Sequence, residues 1–251
     1  MLPLDAHAHI EPGIDAAELA ALRSCVIAVT RTLDEFETVR TRSDSTIVWG
    51  AGVHPGLAKA LRACTPARVR DAVAHTPVVG EIGLDGGART RPEDQLAALR
   101  CILRTVADTP RLLSVHSYRA SGPVLRELQA HQTQGVILHW WLGGAADTDA
   151  AVDNGALFSV NASQAARWPH LDRVPLDRVL VETDHPFGDR VETQPRRPGN
   201  AAAAEAELSA RYGVTVDMLR TQTWRNLFRV TTELKIIDLF PKEFRIQFVA
   251  A

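Results

Sequence analysis

Cysteine is scarce: Cys25, Cys64 and Cys101 are the only three in the chain, far apart and without a CxxC pair. That excludes a disulfide framework and a thiolate zinc ribbon, and the three read as free thiols of a reducing compartment. No apolar run is long enough to cross a bilayer, and the N-terminal residues lack the basic, apolar, small-residue order of a secretory signal. A cytoplasmic protein with no membrane attachment is therefore expected. Positive charge is not in excess either. With a formal net charge of −2 the chain has no general attraction for polyanions, so any contact with nucleic acid must rest on local arginines. No GxGxxG follows the first apolar segment, which argues against a dinucleotide-binding sheet.

What is present is a hydrophobic content of 45% over 251 residues, enough for a sizeable core in one domain. Short apolar runs at 2–6, 25–30, 46–53, 78–82, 112–115, 135–138, 157–160 and 179–182 alternate with amphipathic helical patterns. Helix signals occupy 15–22, 34–40, 66–74 and 91–107, the last with Pro92, Glu93 and Asp94 in its first turn. Ser121-Gly122-Pro123 opens another, and Asp147 begins a shorter one. Eight strands with interleaved helices predict an α/β fold, a TIM-type (β/α)8 barrel that tolerates some distortion. A doubly wound open sheet is the competing arrangement. A Pro- and Arg-rich loop at 189–200 and two helices, at 201–211 and 217–230, complete a domain over 1–230. The segment 231–251 differs in composition, with Lys235 and Lys242 being two of only three lysines. It reads as a C-terminal extension: an added edge element, a partner-docking tail or something foreign to the native fold, and 244–249 alternates like a strand.

Barrel enzymes carry their chemistry at the C-terminal strand ends. Five of nine histidines fall there: His7, His9, His54, His116 and His139. His7 and His9 share a face of the first strand because side chains alternate. Glu81 is the acid ending a middle strand, and Asp184 follows the eighth. Imidazole with carboxylate suits a divalent cation such as Zn, Mn, Fe or Mg. A two-ion site needs a shared ligand. Many barrel hydrolases use a carbamylated lysine, but Lys59, Lys235 and Lys242 end no central strand, so Glu81 takes the bridge. His7, His9 and Asp184 then complete one ion site, and His116 and His139 the other.

The ordered series His7-x-His9, Gly52-x-His54-Pro55, Gly80-Glu81-Ile82-Gly83-Leu84-Asp85, Gln95, Val115-His116-Ser117, His139 and Glu182-Thr183-Asp184-x-Pro186 resembles the TatD family of metal-dependent DNases. Trp224-Arg225-Asn226-Leu227-Phe228 matches that family's C-terminal signature, so the likeness runs from about Asp5 to Phe228. The resemblance implies a TIM-like barrel that hydrolyses phosphodiesters with two divalent ions (Mg, Mn or Zn), often as an exonuclease on DNA. It implies metal ligation by His7, His9, Glu81, His116, His139 and Asp184. Gly86-Gly87, His139-Trp140 and the run 158–161 are most similar to QatD of Qat anti-phage systems, which implies defence and protein partners of that kind. Two departures stand out. The family's His-Ser-Arg is here His116-Ser117-Tyr118-Arg119, and Leu142-Gly143-Gly144 replaces Ser-Gly.

On this reading Asp184 ligates metal and accepts the proton of the attacking water. His54 contacts the scissile phosphate and Arg119 forks it. Trp140 or Trp141 stacks a base, and Arg190, Arg196 and Arg197 track a strand. Two alternatives stay open. One is a barrel amidohydrolase or lactonase acting on a small molecule, since one barrel supports many chemistries. The other is a partner-dependent subunit of a defence complex.

Overall fold

The computed structural model describes residues 1–188 and 196–251. Its strands are β1 (Leu4–Ala8), β2 (Cys25–Val29), β3 (Ile47–Gly50), β4 (Val78–Gly83), β5 (Leu112–His116), β6 (Val136–His139), β7 (Leu157–Val160) and β8 (Val179–Val181). All pairings are parallel, and the sequential neighbours form a TIM-type barrel. The ring is made of two sheets, β1–β2–β3 and β4–β5–β6–β7–β8. Between β3 and β4 they meet at a parallel bridge, Ala51 to Val79, where Ala51 N donates to Val78 O at 3.1 Å and Gly80 N to Ala51 O at 2.9 Å. Past β8, the Asp184 N–H donates to His7 O at 2.9 Å and closes the other side.

The helices follow the βα rhythm: α1 (Ala16–Ala20), α2 (Leu33–Val39), α3 (Ala58–Ala63), α4 (Pro66–Val73), α5 (Pro92–Asp108), α6 (Ser121–Ala130), α7 (Ala145–Asp153), α8 (Ala162–Arg167), α9 (Ala202–Tyr212), α10 (Val216–Glu233) and α11 (Lys242–Ala250). Capping is local chemistry. The Thr32 and Thr215 hydroxyls accept the Glu35 and Met218 N–H groups at the starts of α2 and α10. Helices α3 and α8 are additional to those expected. Each has six residues, too short for a periodic signature. Among the described residues, no helix is long and apolar enough to cross a membrane.

Strand alternation divides the core in two. Leu113 and Val115 face the layer under the helices, whereas Leu112 faces the barrel interior together with Ile27, Val78, Ile137, Leu157 and Leu180. Ser114 and His116 share the inward parity of Leu112 and lie above it. The same alternation therefore builds an apolar lower layer and a polar upper one.

The lower layer is closed by the C-terminal segment, and here one expectation is corrected. Residues 244–249 lie within helix α11, not a strand. Phe244 and Phe248 match both periods, but four-residue spacing behind Pro241 puts them with Gln247 on one helical face. That face covers the barrel floor with Trp224 and Phe240. The Phe244 and Trp224 rings meet edge to face at 5.6 Å, and Trp224 Nε1 donates to Leu2 O at 2.8 Å. Phe244 is fully buried, so Phe244→Ala should cost about 3–5 kcal/mol in urea unfolding. A loss below about 1 kcal/mol would show that α11 is not part of the cooperative unit.

Candidate metal centre

Glu81 lies at the middle of the polar layer. The β4–β5 register shifts between Val79 and Ile82, which turns Glu81 inward after Val78. Gly83, at φ 135°, lets β4 pass close to β5, since a Cβ there would stand 2.0 Å from His116 O. Each Glu81 oxygen then faces its own pair of imidazoles. Oε1 is 2.7 Å from His116 Nδ1 and 3.0 Å from His139 Nε2. Oε2 is 3.3 Å from His9 Nε2 and 3.4 Å from His54 Nε2. Asp184 Oδ1 sits 3.7 Å from His7 Nε2 and 3.8 Å from His9 Nε2.

The six residues expected to hold metal are thus brought together, and the ligand sets they offer overlap. Three sets present ligand atoms within 4.8 Å of one another: His7, His9 and Glu81; His54, Glu81 and His116; and His7, His139 and Asp184. His139 borders both sides: its ring stacks on His7 at 3.7 Å, while its Nε2 lies 3.0 Å from Glu81 Oε1 and 3.4 Å from His116 Nδ1. His54 joins His116, a grouping strand order did not suggest.

A divalent cation fits this donor set. His7 Nε2 and Glu81 Oε2 are buried without a hydrogen-bond partner, a costly condition that a bound ion relieves. Supporting groups orient the ligands. Ser114 Oγ lies 2.7 Å from His7 Nδ1. Glu182 Oε2 lies 3.6 Å from His139 Nδ1, and the Glu182 carboxylate also accepts from Trp140 N, Ser159 Oγ and Asn161 Nδ2. Asp5, fully buried, accepts from Thr183 N at 2.8 Å, Thr183 Oγ1 at 2.6 Å and Gly199 N at 2.7 Å, which pins the segment before Asp184. The sequence reading gave no role to Ser114 or Asp5, although parity two residues before His116 and before His7 carried a signal for both.

The electrostatics are those of a crowded anion and imidazole cluster. Burial by itself raises Glu81, but the neighbouring His54, His116 and His139 outweigh it and hold the carboxyl well below its usual range. Asp184 goes the other way: burial, with Glu182, Glu81 and Asp5 nearby, lifts it well above an ordinary carboxylate despite His139. Burial and the adjacent His139 push His7 down. Burial also lowers His54, and its Nδ1 accepts the Gly56 N–H at 2.9 Å. That bond assigns the His54 proton to Nε2, the atom facing the cavity.

The cavity over these residues has a volume of about 480 Å³. Trp140, Tyr118, Leu142 and Phe187 give it an apolar lining, and Arg31, its guanidinium 3.3 Å from Glu35, also borders it. Trp140 faces in, while Trp141 is fully buried and donates from Nε1 to Thr148 Oγ1 at 3.0 Å. Arg31 and Phe187 carry no motif signal in the sequence, and Arg119, expected at this cavity, is not in its lining. The structure puts Tyr118 on this cavity and Arg119 on the next one, because the extra residue after Ser117 turns the arginine away. Arg196 donates to Pro186 O at 2.9 Å and Arg197 is exposed; Arg190 lies outside the described residues.

The family model for TatD related DNase matches residues 4–232. A mouse protein described as putative deoxyribonuclease TATDN3 is 25% identical over 244 residues, 88% of this chain and 81% of that one. The 3'-5' ssDNA/RNA exonuclease TatD of Erwinia amylovora is 26% identical over 199 residues, 74% of this chain and 76% of its own. In fold, the TatD homolog YjjV of Escherichia coli superposes with a TM-score of 0.79 at 22% identity, covering 91% of this chain and 97% of that one.

Proposed function

Because the chain belongs to the TatD related DNase family, we propose that its strand-end cavity holds two divalent cations and hydrolyses phosphodiester bonds at the end of a nucleic-acid strand, DNA in the first place. The observation that carries this is Glu81, one oxygen toward His9 and His54 and the other toward His116 and His139. His7, His9, Glu81 and Asp184 would hold one ion, and Glu81, His116 and His139 the other. Zn and Mn suit so many imidazoles, and Mg suits the site with water in its shell. Such ions lower the pKa of a bound water and stabilise charge on the phosphoryl oxygens.

The chain's own groups supply the rest. Asp184 Oδ1, 3.7 Å from His7 Nε2 and 3.8 Å from His9 Nε2, is placed to accept the proton of the attacking water. His54 offers its Nε2–H to the phosphate, and the Arg31 guanidinium bordering the cavity adds a second donor. Trp140 and Phe187 flank the terminal base and exclude water; stacking of this kind is worth about 1–3 kcal/mol per base.

The likeness to QatD extends the reading to anti-phage defence beside protein partners in the cytoplasm. Reduced phage plating in cells carrying the Qat partners tests that extension. The core proposal is tested by incubating the purified protein with Mg²⁺, Mn²⁺ or Zn²⁺ and end-labelled single-stranded DNA. Stepwise shortening that stops with chelator is expected. Hydrolysis of a lactone in place of DNA would favour the amidohydrolase alternative.

A further inference from the structure

Beside the metal cavity opens a second one of about 430 Å³, whose lining includes Asp85, Gly86, Arg100, Arg119, Arg126 and Glu127. The two share a wall. Tyr118 faces the first and Arg119 the second, with the Arg119 guanidinium 5.2 Å above the Tyr118 ring. Backbone ties hold that wall in place, since Gly86 N donates to Tyr118 O at 2.8 Å.

The charges in this groove are unevenly matched. Arg100 is engaged by Glu127 through two bonds of 2.8 and 2.6 Å. Asp85 is occupied by the Gly87 N–H at 2.8 Å and by His116 Nε2 at 3.5 Å. Arg119 and Arg126 are both exposed and make no ion pair among the described residues. The first turn of α6, between them, carries no acid to oppose an anion. Two free guanidiniums therefore border a groove that begins where the catalytic cavity ends. Planar, always-charged donors of this kind suit phosphodiester oxygens.

We propose that this groove is a second nucleic-acid subsite, in which Arg119 and Arg126 take the phosphates of nucleotides next to the scissile bond. This rests on the nuclease reading above. The residue inserted after Ser117 then has a function: it moves the arginine from the scissile phosphate to its neighbour and leaves Arg31 bordering the catalytic cavity.

The test compares the metal-loaded protein with R119A/R126A on a dinucleotide and on a single-stranded decamer across a range of salt. The double variant should raise KM for the decamer by about tenfold and lose much of the preference for decamer over dinucleotide. Its slope of log kcat/KM against log salt should flatten by about 1.4, at roughly 0.7 per lost phosphate contact on a single strand. R119K/R126K, which keeps the charges, should restore the slope and shows that folding is not at issue. Decamer KM and salt slope equal to wild type, or equal losses on both substrates, would overturn the subsite. If the wild-type protein cleaves neither substrate, the nuclease reading fails instead. Binding of a labelled decamer by anisotropy then decides the groove by the same slope.

Discussion

Glu81→Ala should leave the purified protein with less than about a tenth of wild-type metal and lower hydrolysis by at least about a hundredfold, more than the loss usual for an outer-shell partner. The expectation follows from position. Three of the four imidazole atoms around Glu81 lie in sets that need one of its oxygens. A second readout is independent of metal. In the metal-free protein His116 and His139 are both raised: burial opposes this, but Asp85 and Glu81 act on the first, and Glu182 and Glu81 on the second. Removing Glu81 should move both histidine titrations downward by NMR. Unchanged metal stoichiometry by elemental analysis, with unchanged histidine titrations, would remove Glu81 from the centre of the site.

Asp184→Asn should retain much of the metal yet slow hydrolysis by about 10²–10⁴-fold, the range for loss of a positioned proton acceptor. A normal rate would end its assignment as base. The same variant should behave unusually in the absence of metal. Burial raises Asp184 well above its unfolded value, so the folded state holds that proton more tightly than the unfolded one. Its contribution to stability is complete below the usual carboxylate range and is lost as pH rises through the raised folded value. Above the usual carboxylate range this carboxyl costs the fold stability relative to the unfolded chain, and asparagine removes that cost. Metal-free D184N should therefore melt above metal-free wild type near neutrality, with the gap closing in acid. Scanning calorimetry of the two proteins at several pH values measures it.

The barrel and the gathering of the candidate metal ligands at one rim were legible in sequence because both rest on short-range regularities. Strand alternation placed His7 with His9. The βα rhythm placed eight strand ends on one rim, and the motif series fixed Glu81, His116, His139 and Asp184. What stayed hidden depends on distances between segments. The His7–His139 stack joins β1 to β6, and the grouping of His54 with His116 depends on how far Glu81 reaches. Arg119 misled because a one-residue insertion in a loop has no periodicity to betray which way it turns. Helix α11 misled for the opposite reason: Phe244, Ile246 and Phe248 satisfy a two-residue period, and only the apolar floor beneath them selects the four-residue one.

The barrel wall consists of two sheets whose ladders are interrupted at the β3–β4 join and past β8, where backbone hydrogen bonds such as Gly80 N to Ala51 O and Asp184 N to His7 O close it. His7, His9 and His54 belong to one sheet or its outgoing loop; Glu81, His116, His139 and Asp184 belong to the other. Each candidate ligand set draws from both. A cation seated in any of them would be a rivet across the joint, adding a tie between the two sheets to those the backbone already makes.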